Sequence, residues 1–315
     1  MKRLTWMLPV FVWMFWSSCE TDITLDLPQP EEQLVVEGNI ESGLPPFVIL
    51  TRTIGFYGDV DLSAIEDFYV RDAIITVSDG ESSVELLEIC LDDIPEELQP
   101  LVAEFFGIPV DSLGSIAYNI CVYTDPGLLF GAPEMIGEAG KTYNLTIEAE
   151  GKTLTSTTTI PPIVELDSLF YLPHEDPGAA DSLVRLYAHL TDPPELGNYY
   201  RLFTSRNNGA YQTDFFSVTD DLVFNGLSID FTINRILEDG EEFNGDTFGY
   251  FFRGDTVAVK LCSIDQATFD FWNTLENDSG GDGPFSSITI VRTNINGGQG
   301  IWCGYGAGIS TIVIE

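Results

Sequence analysis

The sequence predicts a mainly β protein: an N-terminal immunoglobulin-like β-sandwich with a helical insertion, followed by a second β-rich domain carrying one α-helix. Three observations support this. Short runs rich in β-branched residues recur between turn residues along most of the chain. Asp79-Gly80 and Glu150-Gly151 each sit between two such runs, as hairpin turns do. Helical periodicity is confined to one stretch near residue 100 and another near residue 270.

At the start of the chain, Lys2 and Arg3 precede an apolar stretch, Leu4 to Trp16. It is shorter than the ~20 residues a membrane-spanning helix needs. The small residues Ser17 and Ser18 lead to Cys19. A positive start, a short apolar core and a cysteine after small residues describe a lipoprotein signal over residues 1–18, with Cys19 as the lipid-bearing first residue of the mature chain. Trp16 departs from the strict pattern, which has a smaller aliphatic residue there. Residues 19–32, acidic and containing Pro28 and Pro30, read as an extended tether.

The first folded domain is expected over 33–162. "LVVEGNI" (34–40) and "FVILTRT" (47–53) read as strands, "DAIITVSDGESSVELLEI" (72–89) as a hairpin, and "KTYNLTIEAEGKTLTSTTTI" (141–160) as another. Between them, about residues 91–120, Leu98, Leu101, Val102, Phe105 and Phe106 follow the spacing of one helix face. The paired prolines Pro161 and Pro162 mark a boundary, and 163–315 reads as the second domain. Its strands are expected near 182–190, 199–205, 213–218, 226–235 and 255–262. Its helix is expected to open at a Ser263/Gln266 capping box and to bury Ile264, Ala267, Phe271 and Leu275. The glycine-rich C-terminal stretch reads as a connection between two strands.

Composition narrows the functional classes. An apolar content of 44% with 21 phenylalanines is ample for a core. A net charge of −37 repels nucleic acid and anionic headgroups. With Cys19 lipidated, four cysteines remain: Cys90, Cys121, Cys262 and Cys303. In an oxidising compartment an even count suggests two bridges, and pairing within each half, Cys90–Cys121 and Cys262–Cys303, is the economical choice of three connectivities.

No nucleophile elbow, zinc-binding helix or phosphate loop is present, and no cofactor motif. The two histidines, His174 and His189, read as a loop residue and a structural strand residue. Calcium is the one inorganic ligand the acidic loops suggest, with Asp278 and Asp282 in "ENDSGGDGP" and the pair Asp220, Asp221 as weak candidates. The same residues are what ordinary turns use. Three aromatic pairs, Tyr199-Tyr200, Phe215-Phe216 and Phe251-Phe252, can each expose at most one ring on a regular strand.

"LVVEG", "VILTRT", "DAIITVSDG", "GKTYNLTI", "IPPIVELDSL", "LTDPPELGNYYRL", "KLCSIDQATFDFW" and "TNINGGQGIWCGY" follow one another in the order of a Bacteroidetes lipoprotein family of unknown function, family 4249, which the chain resembles. Glu20, Thr21 and Asp22 resemble the acidic tag that sends such lipoproteins to the cell surface. The resemblance implies a lipid-anchored outer-membrane protein, surface-displayed rather than periplasmic, often encoded beside TonB-dependent receptors. It supplies no catalytic residue and no ligand. The expected function is thus a non-catalytic binding or accessory lipoprotein working with a TonB-dependent receptor or other barrel. The alternatives are a surface hydrolase acting on glycan or peptide and a purely structural envelope component.

Overall fold

The computed structural model describes residues 31–53, 68–95, 99, 119–174, 182–237, 241–279 and 290–315. The signal, Cys19, most of the tether and most of the 91–120 insertion lie outside the described residues. In chain order the strands are β1 (Leu34–Glu41), β2 (Phe47–Arg52), β3 (Ile74–Ser78), β4 (Ser83–Cys90), β5 (Cys121–Thr124), β6 (Thr142–Ala149), β7 (Lys152–Thr159) and β8 (Ser168–Pro173). Then follow β9 (Leu183–Thr191), β10 (Tyr199–Arg206), β11 (Val218–Asp220), β12 (Ser228–Ile233), β13 (Phe251–Phe252), β14 (Thr256–Ile264), helix α1 (Gln266–Ser279) and β15 (Gln299–Val313). The fold is mainly β, as expected.

Local chemistry accounts for the hairpins. In β6–β7, Ala149 pairs with Lys152 and leaves a two-residue turn. Both turn residues take positive φ, Glu150 at 51° and Gly151 at 74°, the geometry whose twist matches a hairpin. The β3–β4 turn is longer than Asp-Gly alone. Ser78 pairs with Ser83, and the Asp79 carboxylate accepts from the Glu81 and Ser82 amides. Those two amides hold the Asp79 pKa down at about 2.

The strands form an 11-stranded sheet, β11-β10-β14-β15-β1-β2-β5-β4-β3-β6-β7, and a smaller sheet in which β9 pairs with β8, β12 and β13. Strand β15 joins the halves of the large sheet. Its residues 299–305 pair in parallel with β1, and residues 306–313 pair antiparallel with β14. The described residues form two main apolar cores. Residues of β1, β2, β3, β4, β6 and β7 enclose the first, and β9, β10 and β14 contribute most of the second. Yet Ile295 and Trp302, from the far end of the chain, belong to the first core.

The glycine-rich stretch is therefore a strand and not a connection. A Cβ on Gly304 would sit 2.7 Å from the Thr159 carbonyl, and one on Gly306 2.5 Å from that of Pro161. The segment after β7 passes directly over this bare strip of β15. Trp302, on the same face, is fully buried, and its indole N–H donates to the Tyr143 carbonyl at 3.2 Å. Asn294 binds the Trp302 backbone from both sides, accepting from its amide and donating to its carbonyl.

Helix α1 also differs from expectation in detail. Asp265, not Ser263, is its cap: Oδ1 accepts from the Thr268 amide at 2.8 Å, while Ser263 is a residue of β14. The buried face runs through Thr268 and Phe271, and Ala267 is exposed. Among the described residues no helix is long and apolar enough to cross a membrane.

Trp302→Ala should cost about 3–5 kcal/mol, the range for a large aromatic removed from a packed core. Urea denaturation checks this, and a loss below about 1 kcal/mol would mean the indole is not a packed member of the first core.

Candidate functional site

A concavity lies beside β10, near the β11 edge of the large sheet. A groove of about 750 Å³ runs between the 213–216 segment, the 235–237 segment and α1. A second cavity of about 330 Å³ lies beneath it, between β10 and β12, and the two share Asp214, Phe216 and Ile236. The expected strand over 213–218 shortens to 218–220, so 213–217 is irregular backbone.

That irregularity decides the aromatic pairs. Within the pairs on β10 and β13 one ring is buried and the other less so: Tyr200 against Tyr199, and Phe251 against Phe252. Off the strand, Phe215 and Phe216 are both exposed, at 80% and 69%. Phe248 closes the far rim, with the Phe243 ring 5.4 Å from it.

Two buried guanidiniums reach the groove. Arg201, on β10, stacks 3.4 Å above the centre of the Trp272 ring. Its Nε donates to Ser217 Oγ at 3.0 Å and its Nη1 to the Tyr305 hydroxyl at 2.8 Å. Ser217 in turn gives both its hydroxyl and its amide to Glu276 of α1. Arg201 thus joins β10, β15, α1 and the rim segment, with its countercharge one residue away. Arg235 is 2% exposed; its Nε donates to the Tyr250 carbonyl and its Nη1 to Glu241 at 2.7 Å. Its buried Nη2 has no hydrogen-bond partner among the described residues. A donor-rich floor under an aromatic rim is a binding chemistry: rings supply contact area, and guanidiniums supply directed N–H groups.

The residues singled out by sequence fall elsewhere. Cys90 and Cys121 are directly paired across β4 and β5 and form a disulfide at the base of the insertion. Cys262 and Cys303 do not pair: both are free and buried. Cys262 lies opposite Ala307, four residues along β15 from Cys303. At the usual strand rise that is about 13 Å, well beyond the Cα separation of a disulfide. Burial pushes the Cys262 thiol up to about 12 and the Cys303 thiol up to about 11, the latter against the pull of Tyr305 and Arg201.

Asp221 is buried, and its carboxylate accepts from the Gly197 and Asn198 amides, so it organises a loop. Asp220 ends β11, with one long contact from the Leu222 amide at 3.4 Å. The Asp278 side chain and Asp282 lie outside the described residues, as does Cys19. Among the described residues, the group of His, Cys, Asp and Glu side chains close enough to hold a metal is Glu88, Cys90 and Cys121, two of whose ligands are consumed by the disulfide. His174 packs against the Tyr250 ring at 4.2 Å. His189 pairs with Asp230 at 2.6 Å on the open face of the small sheet, outside the groove.

The chain belongs to the family described as domain of unknown function (DUF4249), whose model matches residues 20–308. A comparison with curated proteins finds no match.

On the chain carrying Cys19→Ser, without reductant, a maleimide should label no cysteine in the folded state and two after unfolding in urea. Mass spectrometry counts the adducts. No labelling on unfolding would establish a second bridge and contradict the free Cys262 and Cys303.

Proposed function

We propose that this protein is an outer-membrane lipoprotein, anchored through Cys19 and displayed at the cell surface. It acts there as a non-catalytic binding or accessory subunit beside a TonB-dependent receptor or another barrel. The groove beside β10 is its ligand site. The anchor rests on the order of Lys2-Arg3, the Leu4–Trp16 stretch and Cys19, and surface display on the resemblance of Glu20, Thr21 and Asp22 to the acidic tag of surface lipoproteins.

The binding role rests on one observation. Phe215 and Phe216 stand exposed together at the mouth of a groove floored by two buried arginines. Exposed adjacent rings gain nothing for the fold of an isolated chain, whereas a ligand that covers them does gain. The groove suits a ligand that presents apolar surface to the rings and oxygen acceptors to the guanidiniums.

A mild-detergent pull-down of tagged, lipidated protein from its native outer membrane, read by mass spectrometry, tests both parts. A stoichiometric barrel partner is expected. In the Phe215→Ala/Phe216→Ala variant, ligand retained by the complex should fall at least tenfold, since two truncated contact rings at ~1 kcal/mol or more each suffice for that. Recovery of the protein alone, without barrel or ligand, would contradict the accessory reading.

A further inference from the structure

The smaller cavity, about 330 Å³, lies between β10 of the large sheet and β12 of the small one. Within the small sheet, Leu186 of β9 pairs with Tyr171 of β8 on one side and with Ile233 of β12 on the other. β12 is therefore an edge strand. Just before it, the Leu227 carbonyl accepts the Asp192 amide, which extends the β9–β12 register by one pair. Antiparallel bonding alternates from there, so Ile229, Phe231 and Ile233 bond β9, and the N–H and C=O groups of Ser228, Asp230 and Thr232 point outward. Among the described residues no hydrogen bond reaches those outward groups. The side chains divide in the same way. Ile229, Phe231 and Ile233 line the cavity, and of these Ile233 alone is fully buried. Ser228, Asp230 and Thr232 are exposed on the open face.

An unpaired strand edge specifies its partner more narrowly than an apolar surface does. Its donors and acceptors recur about every 7 Å, and another extended backbone matches them in order. The cavity takes side chains from one face of such an added strand, the face on which Ile229 and Phe231 already point. Phe216, exposed and shared with the groove, covers that face from the opposite wall. Charge settles the other face. Among the described residues Asp214 is the one charged group lining the cavity. Residues 207–234, which include β12 and the 213–219 wall, contain Asp214, Asp220, Asp221 and Asp230 and no Lys or Arg. Asp230, although paired with His189, keeps 55% of its side chain exposed beside the free edge. We propose that β12 is a strand-addition site for an extended peptide, apolar on the face that enters the cavity and carrying Lys or Arg on the other. This names the ligand class of the binding region and rests on that region being a ligand site. It depends on neither the lipid anchor nor a barrel partner.

The test selects a displayed library of short linear peptides on the full lipidated chain in detergent. Enriched peptides should alternate apolar residues with Lys or Arg. The strongest of them, synthesised free, should slow hydrogen exchange across Ser228–Ile233. Thr232→Pro should weaken that peptide about tenfold or more, because the ring removes an outward donor and obstructs a neighbouring strand. The Thr232 amide points away from β9, so the variant keeps the β9 bonds, and its melting temperature checks that it folds. Asp230→Lys, a change at an exposed side chain, should weaken the same peptide roughly threefold or more through charge. It decides the matter if the proline variant does not fold. No enrichment, enrichment without alternation, or an affinity that the folded variants leave unchanged overturns strand addition. A peptide that protects 213–216 and 235–237 but not Ser228–Ile233 overturns it too, and leaves the groove standing as the ligand site.

Discussion

Both halves of the molecule depend on a close approach of two backbones. The segment leaving β7 crosses β15 where Gly304, Gly306 and Gly308 line up on one face, and carbonyls of Thr159, Pro161 and Val164 occupy the space that side chains would take. Because that face is bare, the chain can pass from the first core to the second without leaving the sheet. β15 can then bond β1 along its first part and β14 along its second. Glycine weakens an ordinary strand through lost packing and greater entropy. Here the loss is offset by the crossover lying in the gap and by Trp302, which fills the first core from the same face.

The opposite face of β15 packs against α1 and is linked to the groove through Tyr305, which bonds Arg201. Ile301, Cys303 and Tyr305 point toward α1 and share a small core with Cys262, Ile264 and Phe271. Burial drives the Tyr305 hydroxyl well above its usual pKa, so it stays neutral and accepts the Arg201 N–H. Arg201 orients Ser217, Ser217 binds Glu276, and the rim at 215–216 is fixed as a consequence. On the neighbouring strands, Lys260 of β14 reaches over β15 to Glu41 of β1 at 2.8 Å, a half-buried ion pair between the two halves. The strand that unites the fold is thus also the support of the candidate site.

Local pattern was enough for the parts of the fold that are local. Alternation in 34–40, 72–89 and 141–160 marks strands because one face of each is buried, and Glu150-Gly151 marks a turn because it supplies two positive φ values. Three things escaped. The capping signal of α1 was ambiguous, since Ser263 and Asp265 can both cap and only the end of β14 decides between them. Counting cysteines cannot reveal register, which separates Cys262 from Cys303. Glycine content pointed to a loop in the C-terminal stretch, although its period of two, Gly304, Gly306 and Gly308, was itself a strand signal. The groove was the least legible part. Phe215 and Phe216 were visible as a pair, but their shared exposure follows from irregular backbone at 213–217, which Asp214 and Ser217 only hinted at.

If β15 binds the two halves into one cooperative unit, β1 and β14 must open together. Hydrogen exchange read by mass spectrometry at rising urea concentration measures this directly. Peptides covering Leu34–Glu41 and Thr256–Ile264 should approach a single opening free energy with a common urea dependence. Two separate isotherms, with one strand exchanging freely while the other stays protected, would show that the halves are independent and that β15 does not unite them.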